Sequence, residues 1–250
     1  MSDQIEKPIL HYIDEELKYL NTLISRMDEL NFSQLCQSLE SLKKVDPNLA
    51  EQVIHREREV NQLEVSADSK ILIILARFSL VASDLRFVMA VSRIINDLER
   101  IRDEAAKIAN FVLFLHIDNG HDPATPLEDV YSVGDLAITT LQHALQVLAE
   151  LDRGKAKAIT HDHKALDNQF NVSVHRLMNR PQPKNDYQVS HSIRVVLILK
   201  SLERVGDHAQ NLAESVIFQM TGKDFRHQFP DYDQEYLYAN QKAECKSSED

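Results

Sequence analysis

The chain has few of the residues that interrupt regular structure. Its 250 residues include 5 glycines and 7 prolines, well below the roughly 7% glycine and 5% proline that are usual. Between these residues run stretches of about thirty residues without a break, and in a soluble domain helices fill stretches of that length. The 2 cysteines, Cys36 and Cys245, make neither a disulfide framework nor a metal motif. Long helices in a reducing compartment are therefore expected.

Other absences narrow the location and the partners. The first ten residues lack the basic and apolar regions of a secretory signal. The longest apolar runs, 71–76 and 195–199, are far short of the ~20 residues that a membrane span requires. The net charge of -11 argues against non-specific nucleic-acid binding and against anchoring on anionic lipid. We expect a cytoplasmic protein that neither binds nucleic acid nor inserts into a membrane.

Apolar residues recur at helical spacing in three consecutive segments. The first ends at Val45-Asp46-Pro47, because a residue before proline leaves the α region and proline suits a new helix start. The second runs from about Leu49 to Phe78, and the third follows Ser83, an acceptable N-cap, to about Ile108. These segments predict one three-helix unit.

The same pattern then repeats. Adding 106 to the residue number maps Leu39 onto Leu145, and adding 104 maps Glu99 onto Glu203 and Asp103 onto Asp207. The predicted fold class is therefore all-α, with two tandem three-helix bundles of six long helices related by internal duplication. The predicted boundaries are a first repeat at 1–118, a linker at 119–126, a second repeat at 127–230 and a disordered polar tail at 231–250.

Acidic residues line two helices of the first repeat. A helix advances about 100° per residue, so Glu99 and Asp103 share one face of the third helix. Glu57, Glu64 and Asp68 share a narrow line on the second helix. Like charges at this spacing repel each other unless something compensates them. A hard cation would do so, since Mg²⁺, Mn²⁺, Ca²⁺ and iron prefer carboxylate oxygens.

The second repeat offers a different set of ligands. Glu203 and Asp207 repeat the pair on the third helix, while His163 and Asp167 stand where the first repeat has Glu57 and Asn61. Mixed nitrogen and oxygen ligands would favour iron or zinc, although magnesium and manganese stay open. His208 is expected at the surface, and His143 and His191 in surface or packing positions.

Three classes of function are compatible with a helical bundle of this kind. A di-iron oxidase would need paired Glu-x-x-His motifs on facing helices, and no glutamate of this chain has histidine three residues on. Catalysis is therefore not expected. A scaffold or adaptor of stacked helices without metal, and a regulatory module with metal sites, both stay open, and metal analysis would separate them.

Several segments resemble one known family. SLERVGDHAQNLAE (201–214) and DLERIRDEAAKIAN (97–110) are similar to the two signatures of PhoU, the bacterial regulator of phosphate uptake. The segments 82–95, 51–68 and 221–227 also resemble PhoU sequences. The similarity covers nearly the whole chain, with one signature in each half.

The resemblance implies a cytoplasmic negative regulator of phosphate uptake and of the phosphate-starvation response, usually dimeric. It implies two partners, a sensor histidine kinase and the ATPase subunit of the phosphate ABC transporter. It also implies Glu/Asp-x-x-x-Asp motifs that bind iron or zinc, here at Glu99 and Asp103 and at Glu203 and Asp207.

The chain departs from the family pattern at the motif itself. Arg102 stands where the family usually has glycine, the residue found at Gly206. Its cation is expected to neutralise a carboxylate and to weaken a metal site in the first repeat. His163 replaces a residue that is usually acidic.

Overall fold

The structure is a computed structural model that describes residues 3–117, 127–180 and 185–224. Within these ranges the chain forms seven helices, which are α1 (Asp3–Lys44), α2 (Pro47–His55), α3 (Glu57–Arg77), α4 (Ala82–Ile117), α5 (Leu127–Glu150), α6 (Arg153–Met178) and α7 (Asp186–Thr221). The predicted linker at 119–126 and the predicted tail at 231–250 lie outside the described residues.

The two repeats change direction at the same point and in the same way. Val45 and Leu151 have φ angles of 51° and 52°, a left-handed conformation that is strained for side chains of this kind. The next residues, Asp46 and Asp152, are the N-caps of α2 and α6, and each carboxylate accepts from two backbone N–H groups. Identical local geometry at an offset of 106 residues supports the duplication.

The predicted all-α architecture is confirmed, with one refinement in the first repeat. The helix expected from Leu49 to Phe78 is divided at Arg56, so α2 and α3 together correspond to α6 of the second repeat. The guanidinium of Arg56 donates to Oε1 of Gln37 on α1 at 2.7 Å, which ties the break to the neighbouring helix. Ser83 is not the N-cap that the sequence suggested, because α4 already begins at Ala82.

The two repeats share one continuous apolar core. The last helices of the repeats, α4 and α7, pack against each other, and α1 packs against α5. Buried side chains such as Leu98, Ile101, Leu202 and Val205 belong to the same cluster. Within the described part of the chain, no helix combines the length and the apolar character needed to cross a membrane.

Candidate metal centre

A guanidinium occupies the middle of the acidic cluster in the first repeat. Arg102 extends from α4, and its side chain is only 6% exposed. Its Nη2 lies 2.9 Å from Oδ1 of Asp103 and 3.8 Å from Oε1 of Glu99, and its Nη1 lies 3.7 Å from Oε2 of Glu64 on α3. Nη1 also donates to Oδ1 of Asn61. The carboxylates that the sequence placed in stripes do meet, and they meet around a cation of the chain itself.

Repulsion within this cluster is not fully relieved. Burial raises the pKa of Glu64, and the negative charge of Glu99 raises it further, while Arg102 lowers it in part. Glu64 is only 23% exposed, so its carboxylate is partly desolvated. Loss of Arg102 would therefore leave several carboxylates without compensation.

The second repeat brings together a histidine and two carboxylates. Nε2 of His163 lies 2.8 Å from Oδ1 of Asp207 on α7. Nδ1 of the same ring lies 3.4 Å from Oδ2 of Asp167, one turn further along α6. Each of the three residues offers one ligand atom within 4.8 Å of the others. Such a set of nitrogen and oxygen ligands matches the donor types that zinc and iron accept.

Gly206 allows this close approach between α6 and α7. A Cβ atom at position 206 would overlap Cδ2 of Leu166 and would lie 3.4 Å from Cδ2 of His163. Gly206 corresponds to Arg102 at an offset of 104, and Leu166 corresponds to Val60 at an offset of 106. The first repeat thus has an arginine and the smaller valine at the positions where the second has a glycine and the larger leucine.

The electrostatics around His163 favour a positive charge. The hydrogen bond to Asp207 raises the pKa of His163 most, the charges of Asp167 and Glu203 add to the rise, and burial opposes it. A metal ion would need the neutral imidazole. A proton and a metal ion would therefore compete for the same side chain, and the same carboxylates would attract both.

The other predicted ligands behave differently. Glu203 lies beside the second cluster, but its carboxylate pairs with Nζ of Lys200 at 2.5 Å. Asp68 is exposed on α3, where its charge contributes to the raised pKa of Glu64. Glu57 is the first residue of α3, and its side chain lies outside the described part of the structure.

The sequence missed contacts that cross between helices far apart in the chain. His208 is not a surface residue as expected, because its Nδ1 lies 2.9 Å from Oδ1 of Asp97 on α4 and its side chain is 15% exposed. His143 of α5 pairs with Asp162 of α6 at 2.8 Å. His191 is buried against the ring of Phe114, as the packing alternative proposed. Helical spacing within one segment carried no signal for these pairs.

Known proteins share both the sequence pattern and the fold. A sequence model of the PhoU domain matches the chain twice, at residues 24–112 and 130–216. The chain belongs to the PhoU family. A relative from Pseudomonas putida, a phosphate-specific transport system accessory protein PhoU homolog, is 32% identical over 89% of this chain and 87% of its own length. The accessory protein PhoU of Escherichia coli K12 is 30% identical over 89% and 91%.

A solved structure agrees with the sequence comparison. The crystal structure of PhoU from Pseudomonas aeruginosa superposes with a TM-score of 0.78 at 31% identity, and the match covers 84% of this chain and 99% of that one. The two three-helix repeats predicted from the sequence are therefore an architecture that this chain shares with a solved member of the family.

The two repeats differ in how well they would suit the metal that the resemblance implies. In the second repeat, His163, Asp167 and Asp207 converge, and among the described residues both aspartates pair with His163 and with no lysine or arginine. In the first repeat, the Arg102 guanidinium lies where an ion would have to lie. The donor set of the second repeat fits a metal ion, and that of the first does not.

Proposed function

We propose that this protein is a cytoplasmic negative regulator of phosphate uptake and of the phosphate-starvation response. The observation that carries the proposal is the similarity to phosphate-specific transport system accessory proteins over about nine tenths of both chains. In this function it docks as a homodimer on a sensor histidine kinase and on the ATPase subunit of the phosphate ABC transporter. At high phosphate, docking holds signalling and uptake down.

The surface charge supports action by docking. The chain carries a net charge of -11, and complementary charge steers and orients protein partners. The side chains that face solvent beside the candidate centre include Asp207, which is 47% exposed. A basic surface on a partner is the complement that this face would accept.

A metal ion in the second repeat is part of the same proposal. His163, Asp167 and Asp207 would hold it, with iron or zinc favoured by the imidazole and magnesium or manganese less so. Bound there, the ion would supply positive charge and link α6 to α7. The role is structural, because the centre joins two helices and nothing in it requires a reaction.

Gene deletion tests the regulatory function. We expect phosphate-starvation genes to be expressed at high phosphate in the deletion strain, and repression to return with the wild-type gene. Unchanged repression after deletion would contradict a regulatory role. It would support a diverged helical scaffold or adaptor without metal, an alternative that the guanidinium in the first repeat favours.

Metal analysis tests the centre separately. Protein purified without chelators is expected to contain about one iron or zinc ion per chain, and His163→Ala is expected to lose it. His161→Ala is the matched control, since His161 is exposed two residues away on the same helix. Equal metal content in all three proteins would place the ion elsewhere, and metal-free wild-type protein would reject the centre without affecting the regulatory proposal.

A further inference from the structure

A basic cleft lies between α4 and α7, on the boundary of the two repeats. It encloses a cavity of about 370 Å³, which is within the range of small-molecule sites. Four cationic side chains and a single carboxylate line it, and these are Lys107, Arg194, Lys200, Arg204 and Glu104. Lys200 is paired with Glu203 at 2.5 Å and Glu104 offsets one further charge, so an excess of positive charge remains here in a chain with a net charge of -11.

The buried carboxylate holds two of the cations in place. Glu104 has a side chain only 2% exposed. Its carboxylate accepts from Nζ of Lys107 at 2.9 Å and lies 3.2 Å from Nη1 of Arg204. One carboxylate thus positions two cations at the cleft, so the three side chains together keep one net positive charge.

Arg194 contributes a cation without a carboxylate partner among the described residues. Its guanidinium lies 3.7 Å from the ring centroid of Phe114, and stacking on an aromatic ring fixes the plane of a guanidinium while its N–H edges stay available. A fixed fork of donors is the geometry that recognises a phosphate or carboxylate group.

The remaining wall of the cleft is apolar. Phe111, Leu197 and Ile198 line it, and Leu197 is 60% exposed. An inorganic anion would satisfy the cations and leave this wall in contact with water. A ligand with an apolar body would cover the wall as well.

The pseudo-symmetric position on the other side of the α4–α7 contact lacks these features. Phe218 corresponds to Phe114 at an offset of 104, and Arg93 lies over its ring at 4.4 Å. Arg93, however, also pairs with Asp224 at 3.6 Å. Asp97 is satisfied there by His208 and Asn211 at 2.9 and 3.0 Å. The excess of cations is therefore a feature of one side and not a general property of the α4–α7 contact.

We propose that the cleft formed by Lys107, Arg194 and Arg204 binds a small organic phosphate, with its phosphoryl group on the cations and its apolar body on Leu197. A phosphomonoester carries close to two negative charges at neutral pH, which suits several converging cations better than a single carboxylate does. This site is separate from the His163 centre, and the proposal does not depend on the regulatory function.

Calorimetric titration of the purified full chain with phenyl phosphate tests the site. We expect saturable binding that is at least about tenfold tighter than that of inorganic phosphate, because only phenyl phosphate covers the apolar wall. Arg194→Ala is expected to weaken phenyl phosphate binding by about tenfold or more. Arg93→Ala is the matched control, since it also removes a ring-stacked arginine, and we expect a change of less than about twofold.

A second variant keeps the test independent of folding. Leu197→Glu changes an exposed residue and introduces a negative charge beside the cleft, so it should abolish phenyl phosphate binding with an unchanged circular dichroism spectrum. The proposal is overturned if phenyl phosphate shows no saturable binding, or if Arg93→Ala and Arg194→Ala weaken it equally. It is also overturned if inorganic phosphate binds as tightly as phenyl phosphate.

Discussion

The two repeats differ in what compensates the charge of their neighbouring carboxylates. Each places carboxylates from its second and third long helices side by side, at Glu64 and Asp103 in one repeat and at Asp167 and Asp207 in the other. The first repeat neutralises them with its own guanidinium. The second leaves a histidine and two carboxylates open to an ion from solution.

The residues at two equivalent positions differ in volume between the repeats. Gly206 is required because a Cβ there would overlap Leu166, whereas the first repeat has Arg102 and the smaller Val60 at the equivalent positions. The absence of a side chain at Gly206 leaves room for His163 to reach Asp207. A duplicated fold can therefore carry an internal cation in one repeat and a set of possible metal ligands in the other.

The largest expected effect comes from placing in the second repeat the arginine that the first repeat has at the equivalent position. Gly206→Arg would drive a side chain into Leu166, and we expect the free energy of unfolding to fall by about 3 kcal/mol. The double variant Gly206→Arg with Leu166→Val gives the second repeat the arginine and valine of the first. It removes part of the overlap and should recover at least about 1 kcal/mol of the lost unfolding free energy. Urea denaturation of the wild type, the two single variants and the double variant measures this coupling. Strictly additive effects would show that the two positions do not share space.

The reverse change removes the internal cation from the first repeat. Arg102→Ala in chelated buffer is expected to lower the free energy of unfolding by about 2 kcal/mol, because Glu64, Glu99 and Asp103 then repel each other. Their exposure of 23–35% keeps the loss below that of a fully buried pair. Added divalent cation should restore part of the stability, since it binds only the folded cluster.

Arg100→Ala is the control for this variant, because Arg100 is exposed two residues away on the same helix. Its unfolding free energy should change by less than about 0.5 kcal/mol. Thermal or urea unfolding in chelator and in zinc or magnesium chloride measures both proteins. An Arg102→Ala protein as stable as wild type in chelator would show that the guanidinium does not compensate the carboxylates.

Periodicity along each helix was sufficient to predict the two repeats and their carboxylate stripes, and the departure from the family pattern at Arg102 predicted its neutralising role. These features depend on residues three and four apart on one helix, or on a comparison of equivalent positions. The family signatures around Glu99 and Glu203 added the expected architecture of two three-helix bundles.

Contacts between distant helices were beyond the same reasoning. The bond between His208 and Asp97 joins residues 111 apart, and no local pattern fixes how α7 rotates against α4. The pairing of Glu203 with Lys200 could have been predicted from helical spacing, because Lys200 lies three residues earlier. Glu203 was instead predicted as a metal ligand, because it shares a stripe with Asp207. The division of the second helix at Arg56 follows no proline or glycine.

The two repeats also differ at equivalent positions of their first helices, α1 and α5. Asp28 and Gly134 are equivalent at an offset of 106. Asp28 lines a groove together with Leu145, and Gly134 packs against Leu39, the residue equivalent to Leu145. Oδ1 of Asp28 is buried without a hydrogen-bond partner among the described residues. Burial, with a smaller contribution from Glu29, raises the pKa of Asp28 from 3.8 to about 7.

A raised pKa makes this carboxyl destabilising at high pH. Between about pH 4 and pH 7 the folded chain keeps a proton that the unfolded chain has lost, so stability falls as the pH rises through this window. The size of the pKa shift limits this loss of unfolding free energy to about 4 kcal/mol. Asp28→Asn cannot ionise, and we expect it to be more stable than wild type by roughly 2 kcal/mol at pH 8 and equally stable at pH 4.

Asp14→Asn is the control, because Asp14 is exposed on the same helix and lines, together with Asp28, a second groove of the surface. Its difference from wild type should stay within about 0.5 kcal/mol at both pH values. Urea unfolding at several pH values measures the three proteins. A gain for Asp28→Asn that does not grow with pH would mean that a partner reaches Asp28 in solution.

The smallest expected effect concerns the bridges between the first and second helices of each repeat. Gln37 with Arg56 and His143 with Asp162 occupy equivalent positions at an offset of 106, with bonds of 2.7 and 2.8 Å. The first bond is partly buried, whereas the side chain of His143 is 48% exposed. We therefore expect Gln37→Ala to cost about 1 kcal/mol and His143→Ala about 0.3 kcal/mol in unfolding free energy.

The order of these two costs is the test, because equivalent geometry alone would make them equal. Urea unfolding of both variants at one pH measures it. The bond at Gln37 also holds Arg56, where the helix of the first repeat is divided, so its loss should loosen the junction of α2 and α3. Hydrogen exchange should then quicken at residues 56–60 in Gln37→Ala and stay unchanged at the equivalent residues 162–166 in His143→Ala. Equal exchange at both places would assign the division to the backbone and not to the bridge.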